Sequence, residues 1–203
     1  TTGISKGATL LHRNVCANVL QLQAWFRPAL SKLPPGEQFT NLAALPLYHI
    51  FALTCCSLFT MRLGGKAVLV PNPRDVGALV REVGRHLIHC FPAVNTLFAA
   101  LVNVPAFGRL DFSSLLLCVG GGMAVQRAVA EKWLALTGHT ICEGYGLSET
   151  SPVATANPVL ADRFSGAVGL PLPSTEVAIL DEQDHALPPG TSGEIAIRGP
   201  QLM

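Results

Sequence analysis

The sequence predicts a layered α/β fold: a parallel-sheet body with crossover helices that passes into a smaller β-rich subdomain. Short aliphatic or β-branched runs alternate with stretches of helical length over most of the chain, the pattern of parallel strands joined by crossover helices. The last two strand-like runs have no helix between them, which predicts an antiparallel pair. Hydrophobic residues make up 49% of the 203 positions and charged residues 13%, more apolar than an ordinary soluble domain and sufficient for a sizeable buried core.

In chain order, helical spacing covers residues 14–26, and Leu33-Pro34-Pro35-Gly36 reads as a loop leading to a strand at 42–46. A helix follows at 51–63, with Gly64 where a C-cap glycine would stand, and then a strand at 67–70. Asp75 precedes a helix at 76–86 and is a plausible N-cap, because its short carboxylate can accept from the first free backbone N–H groups. Helix 94–102, strand 115–119, helix 125–136 closed by Gly138, and strand 140–143 continue the alternation. Residues 156–164 read as a surface connection. Strands at 176–180 and 194–198 are separated by a polar stretch containing Pro188-Pro189-Gly190, a turn signal. The expected division is an α/β body over 1–164 and the start of a β-rich subdomain over 165–203.

A formal net charge of +1 gives neither the basic field that nucleic acid requires nor an acidic tail. The longest apolar run, 50–61, is shorter than the roughly 20 residues that span a bilayer. Of six cysteines, Cys55 and Cys56 are adjacent and no Cys-x-x-Cys pair occurs, which argues against a zinc ribbon or a redox motif. Cys16, Cys55, Cys56, Cys90, Cys118 and Cys142 all sit among apolar neighbours and are expected to be buried thiols.

Two loops concentrate the chemistry. Thr1-Thr2-Gly3-Ile4-Ser5-Lys6-Gly7 combines glycines, hydroxyl donors and one ammonium, the groups a polyphosphate needs. Gly144-Tyr145-Gly146-Leu147-Ser148-Glu149-Thr150 adds an aromatic face and a carboxylate able to hold Mg²⁺ through oxygen. On residue content alone each reads equally well as an ordinary turn. The first lacks the spacing of a Walker A loop, and no Gly-x-Gly-x-x-Gly follows a first strand, which argues against a P-loop NTPase and a dinucleotide-binding dehydrogenase.

Taken together, the two loops resemble motifs of the adenylate-forming enzymes, the family of acyl-CoA synthetases, firefly luciferase and peptide-synthetase adenylation domains. Thr1 to Gly7 is similar to the later part of Thr-Ser-Gly-Thr-Thr-Gly-x-Pro-Lys-Gly, with Ser5 where many members carry proline. Gly144 to Glu149 is similar to Gly-Tyr-Gly-x-Thr-Glu, with Ser148 in place of threonine. Gly193-Glu194-Ile195-Ala196-Ile197-Arg198-Gly199-Pro200 provides a third match, in the same order as in the family. Within the family the closest resemblance is to bacterial long-chain fatty acid:CoA ligases, through Leu45-Pro46-Leu47-Tyr48-His49-Ile50-Phe51, Asn72-Pro73-Arg74-Asp75, Val94-Asn95-Thr96-Leu97-Phe98 and Gly120-Gly121-Gly122-Met123.

The resemblance implies roles residue by residue. Thr1, Thr2, Gly3 and Lys6 would hold the β- and γ-phosphates of ATP, with Gly7 letting the loop fold over them. Gly121 and Gly122, at the carboxyl end of a strand, would leave room for adenine and the acid, and Gly144, Tyr145 and Gly146 would pack along the adenine. Ser148 would offer its hydroxyl to the α-phosphate, Glu149 would ligate Mg²⁺, and His49, beside the carboxylate being activated, would orient it or gate the site rather than act as a general base. Lys6, His49, Ser148 and Glu149 are thus the candidate catalytic groups. Phe51, Val94, Leu97 and Phe98 would wall an acyl tunnel or belong to the ordinary core.

The implied reaction joins a fatty acid to coenzyme A with ATP, through an acyl-adenylate, in a cytoplasmic enzyme. Its water-insoluble substrate suggests peripheral contact with the inner membrane. The chain is expected to be a central piece of the family's large domain, without the start of the phosphate loop, the ribose-binding aspartate motif or the small C-terminal domain with its lysine. Two other readings stay open: an adenylating relative that takes a medium-chain or aryl acid, and a nonenzymatic fragment or binding module.

Overall fold

The computed structural model describes residues 7–203. A seven-stranded sheet runs in the order β2 (Lys66–Leu69), β1 (Thr40–Ala43), β3 (Cys90–Ala93), β4 (Leu117–Gly120), β5 (Ile141–Gly146), β6 (Val153–Ala156) and β7 (Leu170–Pro171). The first five are parallel, while β6 and β7 are antiparallel to their neighbours. A separate antiparallel hairpin, β8 (Glu176–Leu180) with β9 (Glu194–Arg198), follows. The predicted parallel body, its crossover helices and the final antiparallel pair are all present.

Helices α1 (His12–Leu30), α3 (Val76–Arg85), α4 (Asn95–Leu101) and α5 (Arg127–Thr137) lie near their predicted places. Asp75 does cap α3, its Oδ1 accepting from the Ala78 amide at 2.9 Å. Gly138, with φ +74°, ends α5 in the left-handed conformation that glycine adopts without Cβ strain. The segment read as one α-helix is different: residues Ala52–Leu58 form a π-helix, and α2 is the short continuation Phe59–Arg62. Side chains support the change. Asn41 Nδ2 donates to the Cys55 carbonyl and the Thr60 hydroxyl to that of Cys56, side-chain partners that offset a weakened α-helical ladder.

Three strands were not read from the sequence. β3 contains Pro92, a residue that ordinarily argues against a central strand. β6 and β7 are four and two residues long, too short for an alternating pattern to register.

Successive strand residues point to opposite sheet faces. Leu42, Phe91, Cys118 and Ile141 enter one core, under α3, α4 and α5. Cys90, Leu117, Val119 and Cys142 enter the other, against α1 and the π-helix. Cys55, Cys56, Cys90, Cys118 and Cys142 are buried as expected, but Cys16 is exposed: it falls on the outer side of α1, which the sequence neighbourhood did not reveal. Burial pushes the thiols of Cys56, Cys118 and Cys142 up to about 12, so none is a ready nucleophile. Phe98 is fully buried against Phe91 and Trp133 and belongs to the core, which removes it from the candidate tunnel wall.

Candidate active site

Parallel strands present their carboxyl ends on one edge, where loops can surround a ligand without competing with the ladder. Here the loop after β1 carries His49, the turn after β4 carries Gly121 and Gly122, and the end of β5 carries Gly144, Tyr145, Gly146 and Ser148. All of these line one cleft, with an open volume of about 710 Å³. Its inner wall is apolar: Leu22 and Phe26 of α1, Phe51, Cys55 and Val119. Among the described residues no Asp, Glu, Lys or Arg lines it.

Small residues keep the cleft open. A Cβ at Gly121 would sit 3.2 Å from the Phe51 ring, so a side chain there would occupy the space between the two loops. At Gly146 a Cβ would collide with the Pro152 carbonyl, across the narrow antiparallel turn from β5 to β6.

His49 stands at the entrance to the π-helix. Its Nδ1 accepts the Phe51 amide at 3.2 Å, while its own carbonyl accepts from Leu53. An Nδ1 used as an acceptor leaves the proton on Nε2, giving the ring an N–H to offer. Tyr145 is half-buried within β5. Ser148, Glu149 and Thr150 form a single 3-10 turn, Ser148–Thr150, with the first two side chains exposed and the third buried. The turn is fixed from inside: the Leu147 amide donates to Thr150 Oγ1 at 2.9 Å and to the Pro152 carbonyl at 3.0 Å.

Glu149 lies on the rim, outside the residues that line the cleft. Among the described residues no group of three His, Cys, Asp or Glu is placed to hold a metal. A lone exposed carboxylate nevertheless suits Mg²⁺, which commonly takes one or two protein carboxylates and completes its octahedron with phosphate oxygens and water. Gly7 is exposed ahead of α1, whereas Thr1, Thr2, Gly3 and Lys6 lie outside the described residues.

Several supporting residues escaped the sequence reading. Glu143 is buried, and its Oε1 accepts the Val125 amide at 2.7 Å, bracing the turn that contains Gly121 and Gly122. Desolvation pushes its carboxyl above the ordinary range, opposed by that amide. A carboxylate inside the apolar run preceding Gly144 was the available signal. Asn18 of α1 makes a two-way pair with the Val153 backbone, donating at 2.7 Å and accepting at 3.1 Å. Val94 and Leu97, read as tunnel wall or ordinary core, pack in or against the core under α3, α4 and α5 and also line a neighbouring apolar groove of about 750 Å³ between the ends of β1 and β3.

The family model described as "AMP-binding enzyme" matches residues 1–203. The chain is 49% identical over 203 residues to the long-chain-fatty-acid–CoA ligase of Escherichia coli O6:H1, covering 100% of this chain and 36% of that protein. It therefore spans about a third of the curated relatives it matches. The fold is similar to apo MatB from Rhodopseudomonas palustris, with TM-score 0.82, 30% identity, and coverage of 100% here and 38% there. It is also similar to O-succinylbenzoate coenzyme A synthetase (MenE) from Bacillus subtilis in complex with ATP and magnesium ion, with TM-score 0.82, 26% identity, and coverage of 100% and 40%.

Proposed function

This chain belongs to the AMP-binding enzyme family, and on that premise we propose that the longer protein is an AMP-forming long-chain fatty acid:CoA ligase. The observation that carries the reading is the cleft itself, which gathers the His49 loop, the glycine turn and the Tyr145 end of β5 around an apolar wall with no charged residue among the described lining residues. Such a wall suits an aliphatic tail and offers no carboxylate for the ammonium of an amino acid.

In the proposed reaction the acid's carboxylate oxygen forms a bond to the α-phosphorus of ATP, and the bond to the pyrophosphate oxygen breaks. The thiolate of coenzyme A then forms a bond to the acyl carbon, and AMP departs with the electron pair of the broken C–O bond. No protein nucleophile is needed, so the residues act by position and charge. His49 donates its Nε2–H to the carboxylate and orients it; with Nδ1 occupied by the Phe51 amide, the ring has no free lone pair to act as a base. Tyr145 packs against adenine between Gly144 and Gly146, and Gly121 and Gly122 admit the nucleotide. Ser148 donates to the α-phosphate. Thr1, Thr2, Gly3, Lys6 and Gly7 hold the outer phosphates. Glu149 holds Mg²⁺, which would neutralise charge developing on the departing pyrophosphate.

The division into a body over 1–164 and a β-rich subdomain from 165, a cytoplasmic location and peripheral contact with the inner membrane belong to the same proposal. Carboxylate-dependent ATP–pyrophosphate exchange by the longer protein tests it, comparing hexadecanoate, octanoate, benzoate and mixed amino acids. Exchange with hexadecanoate that falls by about 10²-fold or more in Glu149→Ala is expected. Exchange with octanoate or benzoate alone would replace the substrate, and none with any acid from folded protein would favour a nonenzymatic role.

A further inference from the structure

His49 and Glu149 come from different parts of the chain, and a buried hydrogen bond joins the segments that carry them. Thr54, in the middle of the π-helix that begins just after His49, donates from Oγ1 to the carbonyl of Ser151 at 3.0 Å. Thr54 and Ser151 are both fully buried. Ser151 directly follows the Ser148–Thr150 turn and has φ +65°, a left-handed conformation that a residue with a Cβ keeps only when its surroundings impose it. The amide of Ser151 contributes only a long bond of 3.4 Å to the Ser148 carbonyl. The Thr54 hydroxyl is therefore the shorter of the two polar restraints on this residue's backbone.

The π register matters to this contact. A π turn holds an extra residue relative to an α turn, and Asn41 and Thr60 stabilise it by taking the Cys55 and Cys56 carbonyls. Within that register Phe51 faces Gly121 across the cleft while Thr54 faces Ser151. One short helical segment thus touches the acid side and the nucleotide side of the site.

We propose that Thr54 is a positioning residue for adenylation: its hydroxyl holds the turn bearing Ser148 and Glu149 in register with His49 and Phe51. This rests on the function proposed above, so the test has one arm that needs no activity. In the longer protein, Thr54→Val removes the donor at nearly constant volume and Thr54→Ser retains it. Thr54→Cys, of similar size but a weaker donor, replaces the valine variant if that does not fold.

The first arm is amide hydrogen exchange over residues 147–151. Faster exchange there in Thr54→Val, with protection near wild type in Thr54→Ser and in the distant β3 and β4, supports the clasp. Unchanged exchange at 147–151 overturns it, whatever reaction the protein performs. The second arm is hexadecanoate-dependent exchange kinetics. A misplaced turn should lower kcat by about 10-fold to 100-fold in Thr54→Val, with KM for the acid within about twofold and recovery in Thr54→Ser. A kcat within about twofold of wild type, or a serine variant as slow as the valine one, overturns the positioning role. Absence of exchange by wild-type protein itself would defeat the functional reading and leave the hydrogen-exchange arm to decide the clasp.

Discussion

The two faces of the sheet share the same strands but are held together differently. Under α3, α4 and α5 the centre of the core is aromatic: Phe91, Phe98, Phe107 and Trp133 meet with ring centroids 4.7 to 6.3 Å apart. Against α1 and the π-helix, apolar packing is interleaved with buried amides and hydroxyls, including Asn18, Gln21, Asn41, Thr54 and Thr60. Most bond to backbone carbonyls or to one another. Volume fixes the first face, and direction fixes the second. A side-chain hydrogen bond specifies distance and angle where packing specifies only shape, and the directional face is the one that forms the wall of the cleft.

The largest expected effect tests the aromatic face. Trp133→Ala removes a fully buried ring at the centre of the aromatic cluster and should destabilise by about 3–5 kcal/mol in urea unfolding. The two tryptophans lie one to each face, Trp25 donating to the Asn157 carbonyl at 3.0 Å, so Trp25 fluorescence still reports on the variant. A loss below about 1 kcal/mol would mean that the cluster tolerates a void and that volume does not fix this face.

A smaller loss is expected from Asn18→Ala. It strips the Val153 amide and carbonyl of their side-chain partner and frees Gln21 Oε1, which should cost about 2–3 kcal/mol. Trp25 emission should change before global unfolding, because α1 loses its anchor on β6. If the variant is as stable as wild type, the polar bonds on this face are incidental to its packing.

The smallest effect sharpens the contrast between buried and exposed polar bonds. Asp75→Ala removes a side-chain-to-amide bond of the same chemical kind, but on an exposed helix end, and should cost about 1 kcal/mol. Parity with Asn18→Ala would show that burial adds nothing to such a bond here.

Much of the aromatic face, and the separate last hairpin, was legible from local pattern. Asp75, Gly138, the periodicity of α3 and α5, and both strands of the last hairpin (Glu176–Leu180 and Glu194–Arg198) follow from spacing and capping chemistry within a few residues. The candidate site was legible in its parts: the Gly144 to Glu149 motif, His49 and the glycine turn were all named from sequence, and they line or border one cleft. Their assembly was not legible. Val94 and Leu97 turn into the core and a separate groove, Phe98 into the core and Cys16 outward.

By itself the sequence determined the layered α/β class, the order of its helices and several of the residues that line the cleft, because periodicity and loop chemistry act over short stretches of chain. Tertiary structure decided the rest. β3 is a central strand despite Pro92 because parallel neighbours lie on both sides. The 52–58 segment is a π-helix, and Asn41, from another element, holds one of its carbonyls. Thr54 reaches Ser151 across 97 residues of sequence. Such a bond depends on two backbones that the rest of the fold brings together, so neither residue carries a local trace of the other.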